Sequence, residues 1–373
     1  LSEFSQERFF DLRSRISRVL HETVGDIPFH CTQPEWFREK FIHLEDHSRV
    51  RHAVQEASIL GNLEELGLLG PPKDADLASL EADACAPPRC FAEFGAGRGL
   101  LSLRLESRVP ARDNFLLIDR KTFRNKAENT KRVDIQSEMK RIRIDIRHLD
   151  LQKVDAVQGR KVVAFSKHLC GCATDLTLRC LFRDSAWASE GILGVGIALC
   201  CHHVCTEDTY INPSFFLEHG FSVEEFRIIC KLSSWTLMAE DAGPRRKRRK
   251  VGSKKAFMSG LVANAASSST GVERAEESGD EASDSSVEEQ GGDAGGHGHA
   301  LVKGNKKHGD VRDLLCLEEK QTLGRMCKRL LDAGRVAYLQ SLPGFDAKLV
   351  HYIGEEVSPE NCMLLVFPKG EVA

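Results

Sequence analysis

The spacing of apolar residues changes twice along this chain. Up to about residue 70 they recur at helical intervals, as in RSRISRVL and VRHAVQEASILGNLEELGLL. Two proline pairs, Pro71-Pro72 and Pro87-Pro88, bound the end of that stretch. From Arg89 onward, short apolar runs alternate with longer amphipathic segments. The expected strands are Cys90–Phe94, Asn114–Ile118, Arg141–Ile146, Lys161–Ser166 and Ile192–Leu199. Several are unbroken apolar runs, the form taken by parallel strands buried on both faces. An amphipathic helix at about Asp313–Leu339 follows, then two β-like runs, Ala347–Ile353 and Cys362–Phe367. The pattern predicts an α/β, doubly wound sheet of seven mostly parallel strands.

Between residues 244 and 310 the apolar rhythm disappears. PRRKRRKVGSKK opens this stretch, and a Ser/Glu tract and a Gly/His run follow. Such composition predicts disorder. The expected organisation is therefore a helical N-terminal extension over 1–88, one α/β domain formed by 89–243 and 311–373, and a disordered insert over 244–310. The basic run Arg245–Lys255 reads either as a nuclear localisation signal or as a solvated tail that balances the acidic tract.

Charge and composition narrow the function classes. The chain has 373 residues, 52 Lys+Arg and 55 Asp+Glu, for a net charge of −3. Outside the insert it carries 40 positive and 45 negative residues. That argues against a protein that simply coats nucleic acid, which would be strongly basic. One local exception is Arg120–Arg143, with nine Lys/Arg against three acids, which reads as a phosphate-backbone contact or as a solvated face. No run of about 18 apolar residues suggests a membrane span. The 13 cysteines and the polar opening LSEFSQERFF predict mostly free thiols in a reducing compartment.

Three segments carry candidate chemistry. Glu93-Phe-Gly-Ala-Gly-Arg-Gly99 leaves the first strand and enters a helix. Glycines at 95, 97 and 99 allow a tight turn and close approach of backbone N–H groups to a ligand. An acid beside the loop is unwelcome to a pyrophosphate but suits a cationic cofactor such as S-adenosylmethionine. Asp119 ends the second strand, where a carboxylate can hold ribose hydroxyls. Asp145, at the expected end of the third, can accept from an adenine amino group. The alternative is a plain turn with two surface acids.

Lys167-His168-Leu-Cys-Gly171 and Cys200-Cys201-His202-His203 follow the fourth and fifth strands. Strand carboxyl ends face the crevice of an open α/β sheet. Lys167, His168, His202 and His203 are therefore the candidates for acid–base work on a hydroxyl acceptor. Surface charge and core hydrogen bonding are the plainer readings of these residues. The Cys200–Cys205 cluster is not read as a metal site. Adjacent side chains at a strand end diverge, and no CxxC knuckle is present.

Taken together the motifs resemble eukaryotic tRNA methyltransferases of the Trm-thirteen type. The matching text is QEASILGNLEELGLL, FAEFGAGRGLLS, IDIRHLDL, KHLCGCATDLTLRCL, ALCCHH, KLSSW and MLLVFPK, in that order. The resemblance implies a class I methyltransferase fold, S-adenosylmethionine as donor and a ribose 2′-hydroxyl of the tRNA acceptor stem, at the fourth nucleotide, as acceptor. The family's small zinc-binding segments have no recognisable copies in this chain. Nor does a Lys-Asp-Lys-Glu tetrad, used by many 2′-O-methyltransferases, since the fourth strand ends in Lys167-His168. A methyltransferase of proteins or small molecules, and a non-catalytic binding module, are the competing readings.

Overall fold

Seven apolar runs become seven strands. They are β1 (Arg89–Phe94), β2 (Asn114–Asp119), β3 (Met139–Arg143), β4 (Lys161–Cys170), β5 (Ile192–Cys200), β6 (Phe345–His351) and β7 (Cys362–Pro368). This computed structural model describes residues 5–42, 47–124, 126, 129, 137–238 and 314–370. All of them belong to one unit, 1–239 with 309–373. The expected insert at 244–310, with its basic run, lies outside the described residues.

The strands lie in the order β3-β2-β1-β4-β5-β7-β6. Pairs from β3 to β5 are parallel, and β7 runs antiparallel to both β5 and β6. A mostly parallel, Rossmann-like α/β sheet is thus present, as the alternation of runs predicts. All seven strands begin within two residues of their expected starts. The third begins at Met139 and ends at Arg143, short of Asp145. As an edge strand it is only partly buried, so its apolar pattern is a weak guide to its ends. Asp145 instead caps a short 3-10 turn, accepting from the Arg147 N–H at 3.0 Å.

Helices cover the sheet. The N-terminal ones are α1 (Gln6–Thr23), α2 (Glu35–Phe41), α3 (His47–Glu65) and α4 (Leu77–Ala84). Later come α5 (Leu100–Glu106), α6 (Cys172–Phe182), α7 (Ser185–Gly191), α8 (Pro213–Glu218), α9 (Val223–Ser233) and α10 (Leu317–Ser341). Helix α3 lies directly on β5, because that strand offers glycines there. A Cβ at Gly194 would stand 2.5 Å from Leu68, and one at Gly196 would stand 2.6 Å from Leu63. This contact holds α3 and its polar residues over the crevice end of the sheet.

Two apolar cores stand out among the described residues. One joins β1, β2, β4, β5, β6 and β7 to α6, α7 and the end of α10. The other is helical: Phe9, Leu12, Ile16 and Val19 of α1 pack with α8, α9 and Leu323–Leu331 of α10. Among the described residues no helix is long and apolar enough to cross a membrane.

Candidate active site

The loop after β1 turns through three left-handed glycines, Gly95, Gly97 and Gly99, with φ of 66°, 53° and 79°. Gly95 is where the turn meets β4. A Cβ there would lie 2.9 Å from the His168 carbonyl oxygen. Only glycine combines that φ with so close an approach. The expected cofactor loop and Lys167-His168 are therefore brought together. Gly97 faces open space, since a Cβ there would meet nothing within 4 Å.

The acids near the loop divide their work. Asp119 Oδ2 accepts from the Gly97 N–H at 2.9 Å, and its Oδ1 accepts from the Lys121 N–H at 2.8 Å. Arg141 Nη1 donates to the Gly97 carbonyl at 2.8 Å. The far side of the loop is thus braced by β2 and β3. Glu93 turns inward: it is buried and its Oε2 accepts from Ser102 N–H at 3.1 Å and Ser102 Oγ at 2.5 Å. Burial pushes its carboxyl up to about 7, against the Ser102 bonds. It anchors the start of α5 behind the loop. Of the cationic stretch Arg120–Arg143, residues 125, 127, 128 and 130–136 lie outside the described residues.

Lys167 is enclosed. Its Nζ donates to Glu56 Oε1 at 2.7 Å and to the His52 carbonyl at 3.3 Å, with His52 Nδ1 at 3.1 Å. Burial, together with Arg104, pulls its ammonium down to about 7, and Glu93 pulls it back. The Glu56 contact acts in the same upward sense. Arg104 also pairs with Glu56, so one carboxylate of α3 serves two cations. Glu56, His52 and Arg104 are absent from the candidates drawn from the sequence. The available signal was a lone acid in the apolar run of α3. His168, by contrast, is exposed.

The second cluster splits. His202 is fully buried and its Nε2–H donates to Asp332 Oδ1 at 2.7 Å. Burial lowers its pKa, so it stays neutral, with Asp332 pulling the other way. Arg335 joins Asp332 at 3.0 Å and Asp175 at 2.7 Å. Burial alone would raise the Asp332 carboxyl, but His202, Arg329 and Arg335 hold it well below the carboxylate range. The expectation that His202 lines the crevice is thus corrected, because the turn after β5 sends it into the interior. His203 is exposed. Cys170, Cys200 and Cys201 gather at the ends of β4 and β5, with their sulfurs within 4.8 Å of one another.

A glycine loop leaving the first strand of a Rossmann-like sheet, with a lysine held against it, is an arrangement found in the class of α/β proteins that includes many group-transfer enzymes. A family model described as Methyltransferase TRM13 matches residues 54–367, and the chain belongs to that family. The tRNA:m(4)X modification enzyme TRM13 homolog of Mus musculus is 32% identical over 360 residues, covering 86% of this chain and 64% of that protein. The Homo sapiens homolog is 31% identical over 362 residues, covering 86% and 65%. The tRNA:m(4)X modification enzyme TRM13 of Saccharomyces cerevisiae is 26% identical over 369 residues, covering 86% and 64%. The chain thus spans less than two thirds of the length of these relatives. No solved structure matches the chain. Membership in a methyltransferase family implies a methyl donor, and the motif text KHLCG with ALCCHH pointed to this same family.

Proposed function

We propose that this chain transfers a methyl group from S-adenosylmethionine to a ribose 2′-hydroxyl of tRNA, at position four of the acceptor stem. The observation that carries the reading is the contact of Gly95 with the His168 carbonyl, which sets the cofactor loop beside Lys167. The sheet order with an antiparallel β7 supports a class I methyltransferase. The loop suits the cofactor, since Gly97 opens on empty space and Asp119 stands at the end of β2 beside it. Gly95, Gly97, Gly99, Asp119 and Asp145 would hold it, and Glu93 would fix the loop from behind. The cofactor supplies an electrophilic methyl on a sulfonium.

The residues of the chain then handle the proton. Lys167 Nζ, deprotonated above about pH 7, accepts the hydroxyl proton. Glu56 Oε1 and the His52 carbonyl hold the resulting ammonium in place. Exposed His168 orients the ribose, with exposed His203 as the second candidate for that role. His202, sealed in the interior, has no part in the chemistry. The cationic residues of 120–143 suit a phosphate backbone. The division into 1–88, 89–243, 244–310 and 311–373, and a nuclear address in Arg245–Lys255, belong to the same reading.

Labelled methyl donor offered to bulk tRNA, bulk protein and tRNA already 2′-O-methylated at position four tests it. Transfer to unmodified tRNA alone is expected. Equal transfer to the pre-methylated tRNA would sink the ribose acceptor.

A further inference from the structure

Cys170 and Cys200 are register partners at the ends of β4 and β5, and their sulfurs are 3.9 Å apart. Cys201 follows Cys200 directly, and in extended chain its side chain would point to the opposite face. It does not remain extended. Cys201 has φ 52°, the sole left-handed non-glycine residue among those described. That conformation costs on the order of 1–2 kcal/mol, and such strain persists where the surroundings impose it. Here the turn carries the third sulfur to the other two, all within 4.8 Å.

The turn is locked from the other strand. Gly171 has φ 47°, and a Cβ on it would lie 2.6 Å from the Cys201 carbonyl and 2.4 Å from Val204 Cγ2. Its N–H donates to the Cys200 carbonyl at 3.0 Å. The last two residues of KHLCG thus exist in contact with the CCHH turn. The geometric premise against a metal at this cluster, that adjacent side chains diverge, fails at Cys201.

We propose that Cys170, Cys200 and Cys201 form a three-thiolate site for a zinc ion, with the fourth position left to water or an incoming ligand. A tetrahedron with Zn–S of about 2.3 Å has edges of about 3.8 Å, which the Cys170–Cys200 separation matches. Sulfur donors select zinc over magnesium or calcium. Cys170 is exposed and the other two are half-buried, so an ion has an entry path. Glu360 bears electrostatically on Cys170 and Cys201; its Oε1 pairs with Lys328 Nζ at 2.8 Å, and its Oε2 is a buried oxygen without a hydrogen-bond partner. It suits a proton of metal-bound water. Binding displaces the thiol protons to solvent. The mechanism above uses none of these sulfurs, so the site stands apart from that reading.

The test uses the untagged 373-residue chain, freshly reduced and desalted. With zinc added, Cys170, Cys200 and Cys201 are expected to resist alkylation read by peptide mass spectrometry, while exposed Cys85 and Cys316 react. One zinc per chain is expected by elemental analysis, retained in Cys316→Ser and lost in Cys170→Ser and Cys200→Ser. Cobalt in place of zinc should give an intense sulfur-to-metal charge-transfer band, absent from Cys170→Ser. Alkylation of the three cysteines unchanged by zinc would overturn the proposal, even if the variants fail to fold. So would a Cys170–Cys200 disulfide that forms equally fast with and without zinc.

Discussion

Two ionic clusters come within eight residues of each other in sequence, at Lys167 and Asp175, and behave differently. Lys167, Glu56 and Arg104 meet at the crevice end of β4, with Arg104 18% and Lys167 9% exposed at the side chain. Arg335, Asp175, Asp332 and His202 lie behind the same strand ends with side chains at most 1% exposed. The sealed cluster is closed on itself: two acids face Arg335, Arg329 and a neutral imidazole, and each carboxylate has more than one partner. The crevice cluster is uneven, since one carboxylate answers two cations and one of them is driven toward neutrality. A sealed network fixes structure, whereas an uneven one at a surface leaves a group able to exchange a proton. Residue type does not separate them, as KHLCG and CCHH both contain histidine and cysteine; depth does.

Removing a charge from each cluster should tell them apart. Arg335→Met leaves Asp175 and Asp332 buried without their main cation and should cost about 3–5 kcal/mol, read by urea denaturation. Lys167→Met sheds an ammonium that burial already disfavours and leaves Glu56 paired with Arg104. Its stability cost should stay under about 1 kcal/mol, within the range of modest substitutions. Equal losses would erase the distinction. In the methyl-transfer assay Lys167→Met should lower the rate by about 10²–10⁴-fold, the usual share of a general base.

A subtler contrast lies within the loop. Gly95→Ala adds a Cβ 2.9 Å from the His168 carbonyl at a left-handed φ, and should cost about 1–3 kcal/mol. Gly97→Ala meets no atom and should lose less in thermal denaturation. The remaining effects are in pH. Below about 7 the rate should fall roughly tenfold per pH unit as Lys167 regains its proton. The Asp332 carboxylate is depressed in the fold, so its contribution to stability is fully present above its unfolded value, about 3.9. That contribution is lost as pH falls through the lower folded value. A pH series of unfolding midpoints on wild type and Asp332→Asn would show the difference closing under acid.

Strand runs such as NFLLI and ILGVGIAL announced the sheet because central strands are apolar throughout. The glycine loop was legible because its spacing follows a strand and opens a helix. What escaped the sequence were features made by distant contacts. Glu56 reaches Lys167 across 111 positions, and no local pattern encodes that meeting. His202 was placed on the wrong side because one left-handed residue, Cys201, redirects the chain after β5. Glu93 was read as a neighbour of the ligand, but a helix that begins behind the loop needs its N–H groups satisfied, and Ser102 claims it.

The flanks of the stretch between Met238 and Leu314 are held by contacts of their own. Gln321 Nε2 donates to the Met238 carbonyl at 2.9 Å, and a Cβ on Gly324 would stand 2.4 Å from the Thr236 nitrogen. With both flanks tied to one another by α10, a change in the number of residues between them should leave these contacts in place. The junction is a natural seam: the place to split the gene into two fragments that reassemble, or to graft a foreign segment without disturbing α10 and the last two strands of the sheet.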